Sequence, residues 1–188
     1  MVALNVTRLI FALLIGAAAG LIGCGRGKDA RSYSASAVFA ERTALTEFVK
    51  NGVRVAVALE SDERGQLILR ATFTPDAGFH LYGKDLAENG VNGIGVPTRL
   101  ELVNSSSLQA AGPVFSNISP HDLRVESLGI TLPVYPEGPV TLRLPVELPS
   151  RTRDVAAQIA VSYMACSTDG VCKIPVKKKI LGIKIPAA

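Results

Sequence analysis

The sequence offers few side chains for redox or group-transfer chemistry: two histidines, His80 and His121, and three cysteines, Cys24, Cys166 and Cys172. Cys166 and Cys172 are separated by Ser-Thr-Asp-Gly-Val, and Asp169-Gly170 is a turn signal. A turn there brings the two Cβ atoms within bonding reach, near 4 Å. In an oxidising compartment the default state of such a pair is a disulfide. Closing so short a loop contributes only about 2 kcal/mol, which a domain of this size does not require. The pair therefore reads as a reactive device more than a staple. Two other readings stay open: an inert bridge on a binding module, and a Cys₂His₂ metal site with His80 and His121. The metal reading suffers from a cysteine spacing beyond the usual two to four residues, and oxidation would remove two of its ligands. Neither histidine lies in a nucleophile motif, so no Ser-His-Asp set is expected. The expectation is redox chemistry with no metal and no organic cofactor.

The compartment is read from the start of the chain. Residues 9–21 are almost wholly apolar, with Arg8 the one charge before them, and the run closes in Ala17-Ala18-Ala19-Gly20. This is the pattern of an export signal. Its end, Leu21-Ile22-Gly23-Cys24, resembles the lipobox of bacterial lipoproteins, in which cleavage precedes a cysteine whose sulfur is acylated. Residues 1–23 are thus expected to be a lipoprotein signal peptide and Cys24 the lipidation site, with an uncleaved single-span anchor and an ordinary secretory signal as the alternatives. Residues 24–37, polar and without apolar periodicity, read as a flexible tether. The domain proper is 38–188, outside the cytoplasm and anchored to a membrane by lipid. Gly25, standing where Asp would favour the inner membrane, leans the expectation to an outer membrane if one exists.

The elements that must position the cysteines are strands. Hydrophobic residues make up 48% of the chain and charged ones 19%, which excludes disorder. Aromatics are 5% and Trp is absent, so the core must be aliphatic. Apolar residues recur every second position at Val53, Val55, Val57 and Leu59, then at Leu67, Leu69, Ala71 and Phe73, with Ile68 the exception. Val140, Leu142, Leu144 and Val146 repeat the pattern, as do Val155, Ala157, Ile159, Val161 and Tyr163. Period two means one buried and one wet side per segment. Turn signals separate the runs at Asp62-Glu63-Arg64-Gly65, Pro75-Asp76-Ala77-Gly78 and Pro136-Glu137-Gly138-Pro139. Only residues 35–50 have any helical potential, and Thr43, Thr46 and Val49 make them a poor helix. Seven to nine strands and no βαβ rhythm predict an all-β chain, an immunoglobulin-like antiparallel β-sandwich. Its core is expected to hold Val55, Val57, Leu69, Phe73, Leu100, Leu142, Leu144, Ile159 and Val161.

The remaining features have plain readings. Gly90, Gly93 and Gly95 precede Pro97 and a strand where a phosphate loop needs a helix, so they read as a surface loop. Lys177-Lys178-Lys179 reads as the guard of an edge strand. The net charge of +4 comes without a basic patch interleaved with aromatics, so no nucleic acid is expected.

At this point the residues carry a resemblance. Val161-Ser162-Tyr163-Met164-Ala165-Cys166, followed after five residues by Cys172 and then a proline, resembles the redox loop of the N-terminal periplasmic domain of the thiol:disulfide interchange protein DsbD family. Ala77-Gly78-Phe79-His80-Leu81-Tyr82-Gly83-Lys84 is similar to that family's aromatic-Leu-Tyr segment before a Lys, and Leu132-Pro133-Val134 to a strand entry. The likeness covers residues 53–185. It implies an immunoglobulin-like domain whose Cys166 and Cys172 exchange disulfides with thioredoxin-like partners or a membrane electron-transfer protein. It implies further that His80, Tyr82 and Phe115 flank the pair, that residues 115–121 form a cap over the disulfide, and that Cys172 attacks first. Lys173 and Lys84 would favour the thiolate, and Asp169 would oppose it. Two departures stand out: Ser116, Asn117, Ile118 and Ser119 occupy a cap that is commonly acidic and aromatic, and Lys173-Ile174-Pro175 stands where a double Pro is common. The expectation is a stand-alone lipoprotein that takes its electrons from another protein.

Overall fold

A computed structural model describes residues 39–103, 107–150 and 152–187. The expected signal peptide, the tether and Cys24 lie outside the described residues. Turn chemistry sets the order of the strands. Asn51 and Gly52 both take positive φ, 52° and 74°, the pairing of central residues that a two-residue hairpin turn demands. They join β1 (Phe39–Lys50) to β2 (Val53–Asp62), with Lys50 opposite Val53. The segment given a weak helical potential is therefore a strand, and its β-branched Thr and Val residues suit that state. Asp62 then accepts from Gly65 N–H at 2.9 Å, and the chain returns as β3 (Leu67–Pro75).

The remaining strands follow in order: β4 (Phe79–Leu81), β5 (Arg99–Leu102), β6 (Gln109–Ala110), β7 (Phe115–Ser116), β8 (His121–Val125), β9 (Ile130–Val134), β10 (Val140–Glu147), β11 (Val155–Tyr163), β12 (Ala165–Ser167) and β13 (Val176–Ile185). A short 3₁₀ turn, Glu126–Leu128, lies between β8 and β9. One sheet runs β1-β2-β3-β10-β6, with β7 also paired to β10; the second runs β13-β11-β5. All these pairings are antiparallel. Two ribbons, β12-β4 and β8-β9, complete the molecule. No helix among the described residues is long and apolar enough to cross a membrane.

The two sheets bury their facing sides against each other. Val55, Val57, Leu69, Phe73, Leu142 and Leu144 of the first meet Leu100, Ile159 and Val161 of the second in one core. All nine side chains expected inward are buried. Phe73 and Tyr163 make an edge contact at 5.8 Å across it. The architecture is an immunoglobulin-like antiparallel sandwich, with more strands than the alternation counts because several are only two or three residues long. Ile68, the exception to the alternation, is nonetheless buried on the opposite face, near Ala58 and Glu60. The Glu60 carboxylate is withdrawn from water there, 2.9 Å from Arg70 Nε and 3.6 Å from Arg143 Nε. Burial of a charge in this way demands such partners.

A second, smaller core sits apart from the first. Tyr82, Leu86, Ile130, Leu132, Val134 and Cys166 pack together in it. It is where the ribbons meet, and where the sulfurs lie.

Candidate functional site

The cysteine pair is built on a hairpin. Gly170 N–H donates to Ser167 O at 3.1 Å, and Gly170 takes φ of +85°, a value that costs glycine nothing. Ser167 N–H donates to Val171 O and Lys173 N–H to Ala165 O, both at 2.9 Å. Cys166 and Cys172 fall opposite each other between those two bonds, with Cα atoms 4.1 Å apart, and they are joined as a disulfide.

On its other side Cys166 pairs with His80 through β12 and β4. Strand parity puts directly opposed residues on one face, so His80, Cys166 and Cys172 form a row. Tyr82, two residues beyond His80, shares its parity. Its hydroxyl donates to Cys166 Sγ at 3.1 Å. Tyr82 itself is fixed by Thr98, whose N–H and Oγ1–H both donate to its carbonyl, at 3.2 and 2.8 Å. Burial pushes the Tyr82 hydroxyl above its ordinary pKa, so it remains a donor.

The two sulfurs live in different surroundings. Cys166 is 2% exposed, while Cys172 stands open to solvent. A cavity of about 410 Å³ adjoins them, lined by His80, Tyr82, Cys166 and Cys172 and by residues 123–128. His80 is buried against Tyr82, ring centroids 5.8 Å apart, and its Nε2 has no hydrogen-bond partner among the described residues. Its pKa lies below the ordinary value, first through burial and then through His121, with Glu137 opposing.

The structure thus gathers His80 and Tyr82 around the expected pair. It does not bring Phe115 there. Phe115 is held in β7 opposite Arg143 of β10 and is not among the residues lining the disulfide cavity. The segment beside the sulfurs is instead residues 123–128, from the β8 end and the 3₁₀ turn. The reason is topological: pairing with β10 fixes β7 to the large sheet before the chain reaches the ribbon. Residues 123–128 carry a signal that could have been weighed, since Leu123, Val125 and Leu128 are apolar in a polar stretch. Lys84 also goes elsewhere, its Nζ 2.7 Å from Asp85 on a separate cavity. Lys173 Nζ lies 4.7 Å over the Phe79 ring. The glycine loop is a surface turn, as expected: Gly90 N–H donates to Ala87 O, and a Cβ there would collide with Ile94 O.

An immunoglobulin-like sandwich carrying one hairpin disulfide, half buried and half exposed, over a small core of its own defines a class of disulfide-bearing β domains. Within that class the sequence matches the family model "Thiol:disulfide interchange protein DsbD, N-terminal" over residues 46–183, and the chain belongs to that family. Among solved structures it is similar to the N-terminal periplasmic domain of ScsB from Proteus mirabilis, at 13% identity and a TM-score of 0.45. That match covers 78% of this chain and 51% of the other, so the chain spans about half the length of the protein compared. No curated protein matches the sequence.

Proposed function

We propose that the domain is an extracytoplasmic disulfide-exchange carrier, passing reducing equivalents through Cys166 and Cys172 to or from thioredoxin-like or membrane electron-transfer partners. The observation that carries this reading is the unequal burial of the two sulfurs. A partner reaches Cys172, while Cys166 waits behind it under the Tyr82 hydroxyl. In the reduced domain the Cys172 thiolate attacks a partner disulfide, displacing one partner thiolate and forming a mixed disulfide. Cys166 then attacks Cys172 Sγ, closing the Cys166–Cys172 bond and releasing the partner's second thiolate. Two electrons pass to the partner, and the reverse sequence returns them. Tyr82 favours the step that expels Cys166, because a hydroxyl hydrogen bond stabilises a thiolate more than a disulfide sulfur. Phe115, carried over from the family's cap, has no part in this scheme. The lipobox-like end of the signal supports a second element of the proposal, acylation of Cys24, which holds the domain within a tether's reach of membrane partners.

One experiment tests both elements. Cys166→Ser and Cys172→Ser, each with and without Cys24→Ser, are mixed with an oxidised thioredoxin-like protein. The Cys166→Ser variant is expected to trap a covalent complex and Cys172→Ser to trap far less, whatever stands at 24. Trapping by neither, with a wild-type disulfide that resists reduction until below about −300 mV, makes the bridge structural. An unmodified Cys24 thiol in protein from the native host overturns the anchor.

A further inference from the structure

Closing the Cys166–Cys172 bond requires a proton to leave Cys166. Only a thiolate attacks, and a thiol buried among apolar groups holds its proton. Cys166 is 2% exposed and packs with Leu132 and Val134. So little exposure separates that proton from bulk water, and a base within the site must take it. The side chains around the cavity narrow the choice. The ionisable ones are His80, Tyr82, Arg124, Glu126 and the two cysteines. Tyr82 already donates to Cys166 Sγ, and burial keeps its hydroxyl protonated. Arg124 is a permanent cation. Glu126 stands at the outer rim, its side chain 76% exposed and 2.7 Å from Arg124 Nε. His80 remains. It is buried, and its Nε2 has no hydrogen-bond partner among the described residues, which is rare for a nitrogen so placed. It is the register partner of Cys166, an arrangement that sets the two Cβ atoms about 4.5–5.5 Å apart on one face, within reach of an imidazole. Two charges act on it from other elements in opposite directions, His121 at the start of β8 and Glu137 before β10. Lys173, beside the hairpin, is turned onto the Phe79 ring. Burial favours the neutral ring, which is the form able to accept a proton.

We propose that His80 is the proton shuttle of the buried sulfur: its Nε2 takes the Cys166 thiol proton as Cys166 attacks Cys172 Sγ in the mixed disulfide. The Cys166–Cys172 bond forms, the bond from Cys172 to the partner breaks, and its electron pair leaves on the partner's sulfur. The imidazolium then gives its proton to that departing thiolate. In the reverse direction the partner's thiol proton passes to Nε2, and from there to Cys166 as it is expelled. Tyr82 and His80 thus divide the work: one steadies the charge on Cys166, the other carries its proton. The inference rests on the exchange reading above and adds the path of the proton to it.

The test separates the two chemical steps. The full chain carries Cys24→Ser, so that only the redox pair reacts. The reduced protein is mixed with an equimolar amount of dithiobis(nitrobenzoate), a disulfide whose released thiolate is coloured. A first release reports attack by Cys172, and a second reports closure by Cys166. In this parent chain the closing rate is expected to rise with pH through the His80 titration, which lies below 6.5. It should then level off until the thiol itself ionises, near pH 8.5 or above. His80→Gln should slow closure about a hundredfold at neutral pH and leave the first release within about twofold. It should also remove the plateau, so that closure climbs about tenfold per pH unit with the thiolate fraction. A parent closing rate that climbs without a plateau, or a variant that keeps the parent's rate and profile, overturns the shuttle and leaves exchange standing. Equal slowing of both releases makes His80 a packing residue and overturns the shuttle likewise. A parent chain that keeps the nitrobenzoate on Cys172 and never closes overturns the exchange reading together with it.

Discussion

The Tyr82 hydroxyl meets Cys166 Sγ at 3.1 Å inside a packed pocket, and Tyr82→Phe deletes that contact while keeping the ring. A hydrogen bond to a charged acceptor is stronger than one to a neutral acceptor, so the reduced state loses more than the oxidised one. The reduction potential of Tyr82→Phe is expected to move by about 30 mV toward more negative values, and reduction by dithiothreitol to slow about tenfold. An unchanged potential would leave Tyr82 with a packing role alone. His80 acts through pH. Its folded pKa lies below 6.5 because the buried ring resists charge, while the unfolded chain titrates near the ordinary value. Between the two values the unfolded state binds the proton more readily, so stability falls as the pH falls. It is fully present above 6.5 and is lost as pH drops through the lower folded value. The melting temperature is expected to decline from about pH 7.5 to 5.5, and His80→Gln to flatten that decline. An equally steep profile in the variant would assign the slope to other groups.

Among the elements, the Asn51-Gly52 turn carries the clearest test. Gly52 sits at φ of +74°, and an added Cβ would lie 2.7 Å from Asp76 Oδ2. Gly52→Ala is expected to cost about 1–2 kcal/mol, read by urea denaturation; a neutral result would mean that the turn relaxes freely. This element also marks where sequence reading stops. Alternation found β2, β3, β10 and β11, because each buries one parity over a long run. It missed β1, although Asn-Gly between two candidate strands is a hairpin signal in its own right. Strands of two or three residues, such as β6, β7 and β12, have no period to display. The cysteine pair was legible from its spacing and the Asp169-Gly170 turn, while His80 and Tyr82 entered only through the family resemblance; local strand parity puts the four on one face. The covering segment was not legible, because which loop reaches the sulfurs depends on β7 joining β10, a long-range pairing that no local pattern encodes.

At the scale of the whole molecule, the disulfide lies in a cluster distinct from the main core, although the ribbon that carries it sends Leu81 and Ala165 into that core. The sandwich core holds both large sheets together, whereas Cys166 belongs to the smaller cluster with Tyr82, Leu132 and Val134. Reduction should therefore lower stability by about 2 kcal/mol, the loop-closure contribution, without unfolding the domain. Hydrogen exchange is expected to quicken around residues 79–82, 123–134 and 165–173 and to stay unchanged in β2, β3, β10 and β11. A uniform rise across the sandwich would show the two clusters to be one cooperative unit. The separation bears on endurance. A carrier opens and recloses the same bond at every turnover, and each opening is a chance for the chain to be cut or to aggregate if the fold opens with it. In the exchange proposed above, the bond that would cycle belongs to the smaller cluster and not to the sandwich core. The working life of a domain acting in that exchange would then be set by the slow unfolding of its sandwich, and the number of electrons carried would not shorten it.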